Sequence, residues 1–162
     1  MTRTSNFFRR RLLDPLWALL RQGLSARELA LCIALGVGIG LFPVLGVSTP
    51  ALTLIALWRR LNLAAIQLVS WSIGPLQLVL IIPFMRLGEW VMGAAPQPLT
   101  ITAGLDILSQ GVLHAIVTLW DAIIHASIGW ILLGPIGIYV LYRTLVPVLD
   151  RVARGLNAGA SE

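Results

Sequence analysis

Lysine is absent from the 162 residues, cysteine occurs once, and only 12% of the chain is charged. A soluble domain usually carries about a quarter charged residues. Too little polar side chain remains to cover a water-soluble globule, which argues against a cytosolic enzyme, a nucleic-acid binder and a disordered chain. Cys32 alone permits neither an intramolecular disulfide nor a cysteine metal cluster. Just seven carboxylates occur, and no Gly-x-Ser-x-Gly, Walker, Rossmann or His-Glu-x-x-His motif accompanies them. The expectation is a protein with no enzymatic role, no cofactor and no metal.

What is present is apolar surface: 57% of the residues are hydrophobic and the mean hydropathy is +0.87. This reads as one compact polytopic membrane protein. Six of the twelve arginines, Arg3, Arg9, Arg10, Arg11, Arg21 and Arg27, precede the first long apolar run. Attraction to anionic headgroups accounts for them more economically than nucleic acid does. A secretory signal would need a small-x-small cleavage site after that run, and the run instead continues past Pro43 to Trp58. Residues 1–28 are expected to form an interfacial amphipathic helix, with Leu16, Leu19, Leu20 and Leu24 on one face and Phe7, Phe8 and Trp17 at headgroup depth. A soluble helix packed on the membrane domain would show the same spacing.

The membrane domain is expected over 29–146, with apolar segments 29–58, 63–85 and 112–142, and a polar tail over 147–162. The interval 93–110 reads as a loop with one short helix. Each segment is interrupted: by Pro43 to Pro50, by Gly74-Pro75, and by Ser127-Ile-Gly129 and Gly134-Pro135-Ile-Gly137. If all three crossed once, Arg59, Arg60, Arg143, Arg151 and Arg154 would lie outside. If each folded back, all twelve arginines would lie on the N-terminal side, as the cytoplasmic bias of arginine favours. The fold class is therefore an all-α integral membrane protein with re-entrant or kinked helices, in the bacterial inner membrane, N-terminus cytoplasmic. Re-entrant backbone must be shielded by protein or face water, so an oligomer is expected.

Gly36-Val-Gly38-Ile-Gly40-Leu-Phe42-Pro43-Val-Leu-Gly46, Arg60-Leu-Asn62, Gly74-Pro75 and Arg86-Leu-Gly88 follow in an order and spacing that resembles a bacterial membrane family, domain of unknown function 2062. Gly134-Pro135-Ile-Gly137 with Tyr142-Arg143 looks like that family's last apolar segment, and the likeness covers roughly 28–145. The family usually has Asn-Pro where this chain has Gly74-Pro75, which removes an amide from that position. The resemblance implies no established activity. Fusion of some relatives to glycosyltransferase-like domains points, by association alone, to lipid-linked glycans.

Three constellations carry the candidate chemistry. Pro43, Gly46, Ser48 and Thr49 surround the start of a half-helix whose N–H groups and dipole suit an anion. Arg59, Arg60 and Arg86, with Asn62, Gly74 and Pro75, complete a candidate substrate site for a phosphate headgroup. Capping by Ser48 and Thr49 and snorkelling by the arginines would explain the same residue types. The glycines at 36, 38 and 40 suit close helix packing or a ligand-cradling loop. His114, Asp121 and His125 lie within about 40° of one another on an ideal helix, as a proton path, a metal pair or a hydrogen-bonded face would.

The expected function is transport or flipping of an anionic or lipid-linked substrate, with membrane lipids as partners and no nucleic acid. The alternative is a structural or assembly subunit of a larger membrane complex, its tryptophans anchoring it. A small-ion channel or exporter fits less well, for want of interior polar residues.

Overall fold

The structure, a computed structural model, describes residues 24–44, 46–96 and 100–159, so the helix expected before Leu24 lies outside them. All regular structure among these residues is helical: α1 (Ala26–Gly40), α2 (Ser48–Arg59), α3 (Leu63–Ser72), α4 (Gly74–Met92), α5 (Ile101–Ser109), α6 (Val112–Thr118) and α7 (Trp120–Gly159).

Local chemistry sets the boundaries. Ser25 and Glu28 form a reciprocal capping box, so α1 starts at Ala26 and not at residue 29. Gly46, at φ +86°, supplies the left-handed residue in the turn between α1 and α2. Arg60 takes a left-handed φ of 55° to end α2, and the Asn62 side chain accepts from Ala65 N at 2.9 Å to start α3. Pro75 stands in the first turn of α4, where a missing N–H costs nothing.

The three broken segments behave differently. In the first, the chain reverses between Leu41 and Val47. Leu52 and Ala56 of α2 pack with Cys32, Ala65 and Ile66, so α1 and α2 form an antiparallel hairpin. α3 then runs alongside α1 in the same direction, with Gly36 against Ile66 and Val69 and Gly40 against Ser70 and Ile73.

The second segment does not fold back. α7 is antiparallel to α1, since Phe42 meets Trp130 while Gly38 meets Ile138. It is antiparallel to α4 too, with Gly88 against His125 and Gly129 against Phe84. α1 and α4 therefore run the same way, and α3 and α4 form one rod jointed at Ile73. The expectation of a second hairpin is corrected: Gly74-Pro75 restarts a helix in the same direction.

The third segment is not interrupted where its glycines and prolines suggested. The helix breaks earlier, at Leu119, and α7 then runs 40 residues through Ser127-Ile-Gly129 and Gly134-Pro135. Gly129 is used for close packing on the Phe84 carbonyl, not for a turn. The same helix extends through the expected polar tail to Gly159.

Height along α7 orders the molecule. Arg143 lies five residues beyond Ile138, which places it near the level of Cys32 and the Arg60–Asn62 turn. Arg27, Arg151 and Arg154 lie farther out at that end. From Arg143 to His125, the level of Gly88, the rise is about 27 Å. Of the described arginines only Arg86 is at the opposite end, which corrects the expectation that all would share one side. There Arg86 Nη1 donates to Glu89 Oε2 at 2.8 Å.

Candidate functional site

The hairpin turn sits part-way up this stack, and the backbone groups it frees from the helices need partners. At the end of α1 the chain supplies them. Phe42 N bonds to Ile39 O, which leaves Gly38 O outside the helical ladder. Trp130 Nε1 donates to that oxygen at 2.9 Å, and its ring packs edge-on to Phe42 at 5.0 Å and 85°. Gln77 Nε2 reaches across from α4 to Phe42 O at 2.6 Å. Both freed carbonyls thus gain a side-chain donor.

The start of α2 is different. Its N-cap is Val47, and no side chain caps it. Ser48 is buried, and its Oγ has no hydrogen-bond partner. Beside it, Gln67 of α3 donates through Nε2 to Thr49 O at 3.1 Å and to Thr53 Oγ1 at 3.0 Å. The Gln67 Oε1 is buried and unpartnered. A buried hydroxyl and a buried amide oxygen thus lie unsatisfied at the positive end of a helix, and such groups call for a ligand or a water.

The sequence-derived site residues divide accordingly. Pro43, Gly46, Ser48 and Thr49 all belong to the hairpin turn and the first turn of α2. Capping by Ser48 or Thr49 is not what the structure shows, because the helix begins at Ser48 itself. Arg59 and Arg60 lie at the other end of α2, roughly 17 Å away at 1.5 Å per residue. They cannot hold the same phosphate as the α2 N-terminus. Arg59 rests over the exposed Trp58 ring at 5.6 Å. Asn62 is occupied as the α3 cap, and its carbonyl accepts a long 3.9 Å contact from Cys32 Sγ. Gly74 and Pro75 form the α3–α4 joint. Gly74 has open space where a Cβ would go. Arg86 is held by Glu89 at the far end, and Glu89 is only 2% exposed.

His114, Asp121 and His125 do not share one helix, because α6 ends at Thr118 and α7 starts at Trp120. His125 Nδ1 bonds the Asp121 backbone oxygen at 2.7 Å, not its carboxylate. Asp121 is exposed in the first turn of α7, where its charge suits the helix dipole. His114 is exposed and lies 3.4 Å from Thr118 Oγ1.

Sequence reasoning passed over Gln67, Gln77 and Glu89. Their signal was present, since each is a polar side chain inside an apolar stretch, where such groups are expensive and rarely idle.

Among the described residues, two helices are by length and composition apolar enough to cross a membrane, Gly74–Met92 and Trp120–Arg154. No curated protein and no solved structure matches the chain. A family model described as "Uncharacterized protein conserved in bacteria (DUF2062)" matches residues 7–156, and the chain accordingly belongs to this bacterial family.

Proposed function

We propose that the chain is a non-enzymatic protein of the bacterial inner membrane that flips or transports an anionic, lipid-linked substrate. The observation that carries this reading is the asymmetry of the hairpin. Its α1 end is satisfied by Trp130 and Gln77, whereas its α2 end is uncapped and beside the orphaned Ser48 Oγ and Gln67 Oε1. A phosphate carrying one proton complements all of these groups. Its oxygens take the α2 amides and the Ser48 hydroxyl, and its O–H serves the Gln67 oxygen.

Membrane placement has independent support. Large apolar side chains on α7, such as Leu133, Ile136 and Val140, are exposed, which water would penalise and lipid would not. The rise of about 27 Å between the two charged ends approaches the ~30 Å hydrocarbon core. Exposed Trp58 lies at one end and exposed Trp90 and Trp120 at the other, as two aromatic belts would. The end carrying Arg27, Arg59, Arg60, Arg143, Arg151 and Arg154 is assigned to the cytoplasm. In this reading α1 and α2 form the re-entrant hairpin, and Arg59 and Arg60 gather anionic headgroups at the surface.

The test is a flipping assay in vesicles holding the purified full chain. A fluorescent lipid with a phosphate monoester headgroup is compared with a zwitterionic one. The monoester is expected to move faster than in empty vesicles, and Ser48→Ala with Gln67→Leu to slow it about a hundredfold, matching two lost hydrogen bonds to a charged group. Movement equal to that in empty vesicles would overturn transport. If the chain then purifies with a stoichiometric membrane partner, the structural-subunit reading replaces it.

A further inference from the structure

Beyond the hairpin turn the helices do not close on one another. Pro43 and Val44, on the side of the turn away from α3, look into a cavity of about 120 Å³ that also touches α4, α5, α6 and α7. Its wall is apolar throughout except for Thr100. On α4 the lining runs from Leu78 to Met85, and on α7 from Ala122 to Ala126, with Leu119 at the break before it. Seven residues of helix is a rise of about 10 Å, so the cavity extends from the turn toward the Arg86–Glu89 end.

We infer that this cavity seats one hydrocarbon chain of a lipid. The inference deepens the function proposed above, since the turn then separates a polar pocket for a headgroup from an apolar one for its chain. Three observations select this occupant. A void of this size with apolar walls does not retain water and instead takes up apolar molecules. Its axial length is most of one leaflet's hydrocarbon depth, roughly 15 Å. It also adjoins the turn directly, with Val44 only four residues before the uncapped start of α2. A substrate held there by its headgroup would lay the adjoining part of its chain along Leu78 and Ala126.

The walls suggest how to fill the cavity. A Cβ on Gly104 meets nothing within 4 Å, and Ala115 lines the space from α6. Gly104→Leu and Ala115→Leu should therefore occupy part of it.

The experiment uses the full chain in vesicles containing phosphatidic acid, a phosphate monoester, with a photoactivatable diazirine midway along one acyl chain, followed by mapping of the adducts by peptide mass spectrometry. Adducts are expected on cavity residues such as Leu105, Leu108 and Ile116, and excess unlabelled lipid should suppress them. Adducts on the open α7 face, at Ile136 and Val140, should not saturate. Either leucine variant is expected to cut the cavity adducts about tenfold while leaving the α7-face adducts unchanged. Should a variant fail to fold, competition on the unsubstituted chain still decides. Uniform, non-saturable labelling would overturn the inference. So would disulfide crosslinking of two copies through a cysteine placed by Leu108→Cys on a Cys32→Ser background. Saturable cavity labelling without lipid flipping would leave the chain pocket standing and remove transport. Flipping without cavity labelling would do the reverse.

Discussion

The two halves of this bundle use glycine for opposite ends. In the α1–α3 half, Gly36 and Gly40 admit α3 side chains and backbone, with Val69 Cβ and Ser70 Oγ at 2.9 Å from where a Cβ would stand. In the α4–α7 half, Gly88 lies on the His125 carbonyl and Gly129 on that of Phe84. The first half keeps buried polar groups, some of them unpaired, around a broken chain. The second is two long helices in backbone contact. The difference teaches that the α4–α7 pair is a closely packed frame, whereas the hairpin leaves Ser48 Oγ and Gln67 Oε1 buried without partners.

The largest expected effect tests the frame. Gly88→Val and Gly129→Val would each drive a side chain into a backbone carbonyl, which no rotamer change relieves. Each should destabilise the chain by about 3 kcal/mol, the upper range for overpacking. Thermal unfolding in detergent would report it as a large fall in Tm. Gly74→Ala, with open space around it, should be nearly silent by the same measure. Equal effects at Gly74 and Gly88 would dissolve the distinction between joint and frame.

Next come the donors that complete the α1 end of the hairpin. Trp130→Phe preserves the ring packed on Phe42 but strands Gly38 O, and Gln77→Leu strands Phe42 O. Each should cost about 2 kcal/mol, the penalty for an unsatisfied buried acceptor. Hydrogen exchange confined to residues 36–44 would locate the loss. If exchange rose equally along α7, the hairpin would not be the separate unit described above.

Much of this contrast was legible in the sequence. Pro43, Gly46 and Pro50 marked the reversal because proline fits after a helix or in the first turn of the next, and Gly46 supplies the left-handed residue between. Gly74-Pro75 reads as a reversal once the arginine bias is applied, and the structure makes it a joint. Local chemistry is the same for both, and only the packing of α7 against α1 and α4 decides. Gly134-Pro135 misled for a related reason, since a long helix can carry a proline when its neighbours tolerate the lost donor. The candidate site was half visible. Ser48 and Thr49 belong to it, but Arg59, Arg60 and Arg86 were grouped with them by charge, and helix length sets them apart. Gln67 and Gln77 went unread because an amide in an apolar run reveals its partner only after the chain has folded back.

The smallest effect lies where α1 begins, outside both halves. Ser25 Oγ accepts from Glu28 N at 3.2 Å, and Ser25 N donates back to Glu28 Oε2 at 3.0 Å. Those donors hold the Glu28 carboxyl below its ordinary range, with the Ser25 amide the largest cause. A carboxyl depressed on folding stabilises the fold above its unfolded pKa. That contribution fades as the pH falls through the lower, folded value. Ser25→Ala removes the cap and should cost about 1 kcal/mol at neutral pH. Glu28→Gln removes the charge instead, so the gap in Tm between it and the unsubstituted chain should narrow on acidification and leave the Trp130 and Gln77 effects unchanged. Were the gap to hold constant down to strongly acidic pH, the carboxylate would contribute nothing, and the hydroxyl alone would define where the hairpin starts.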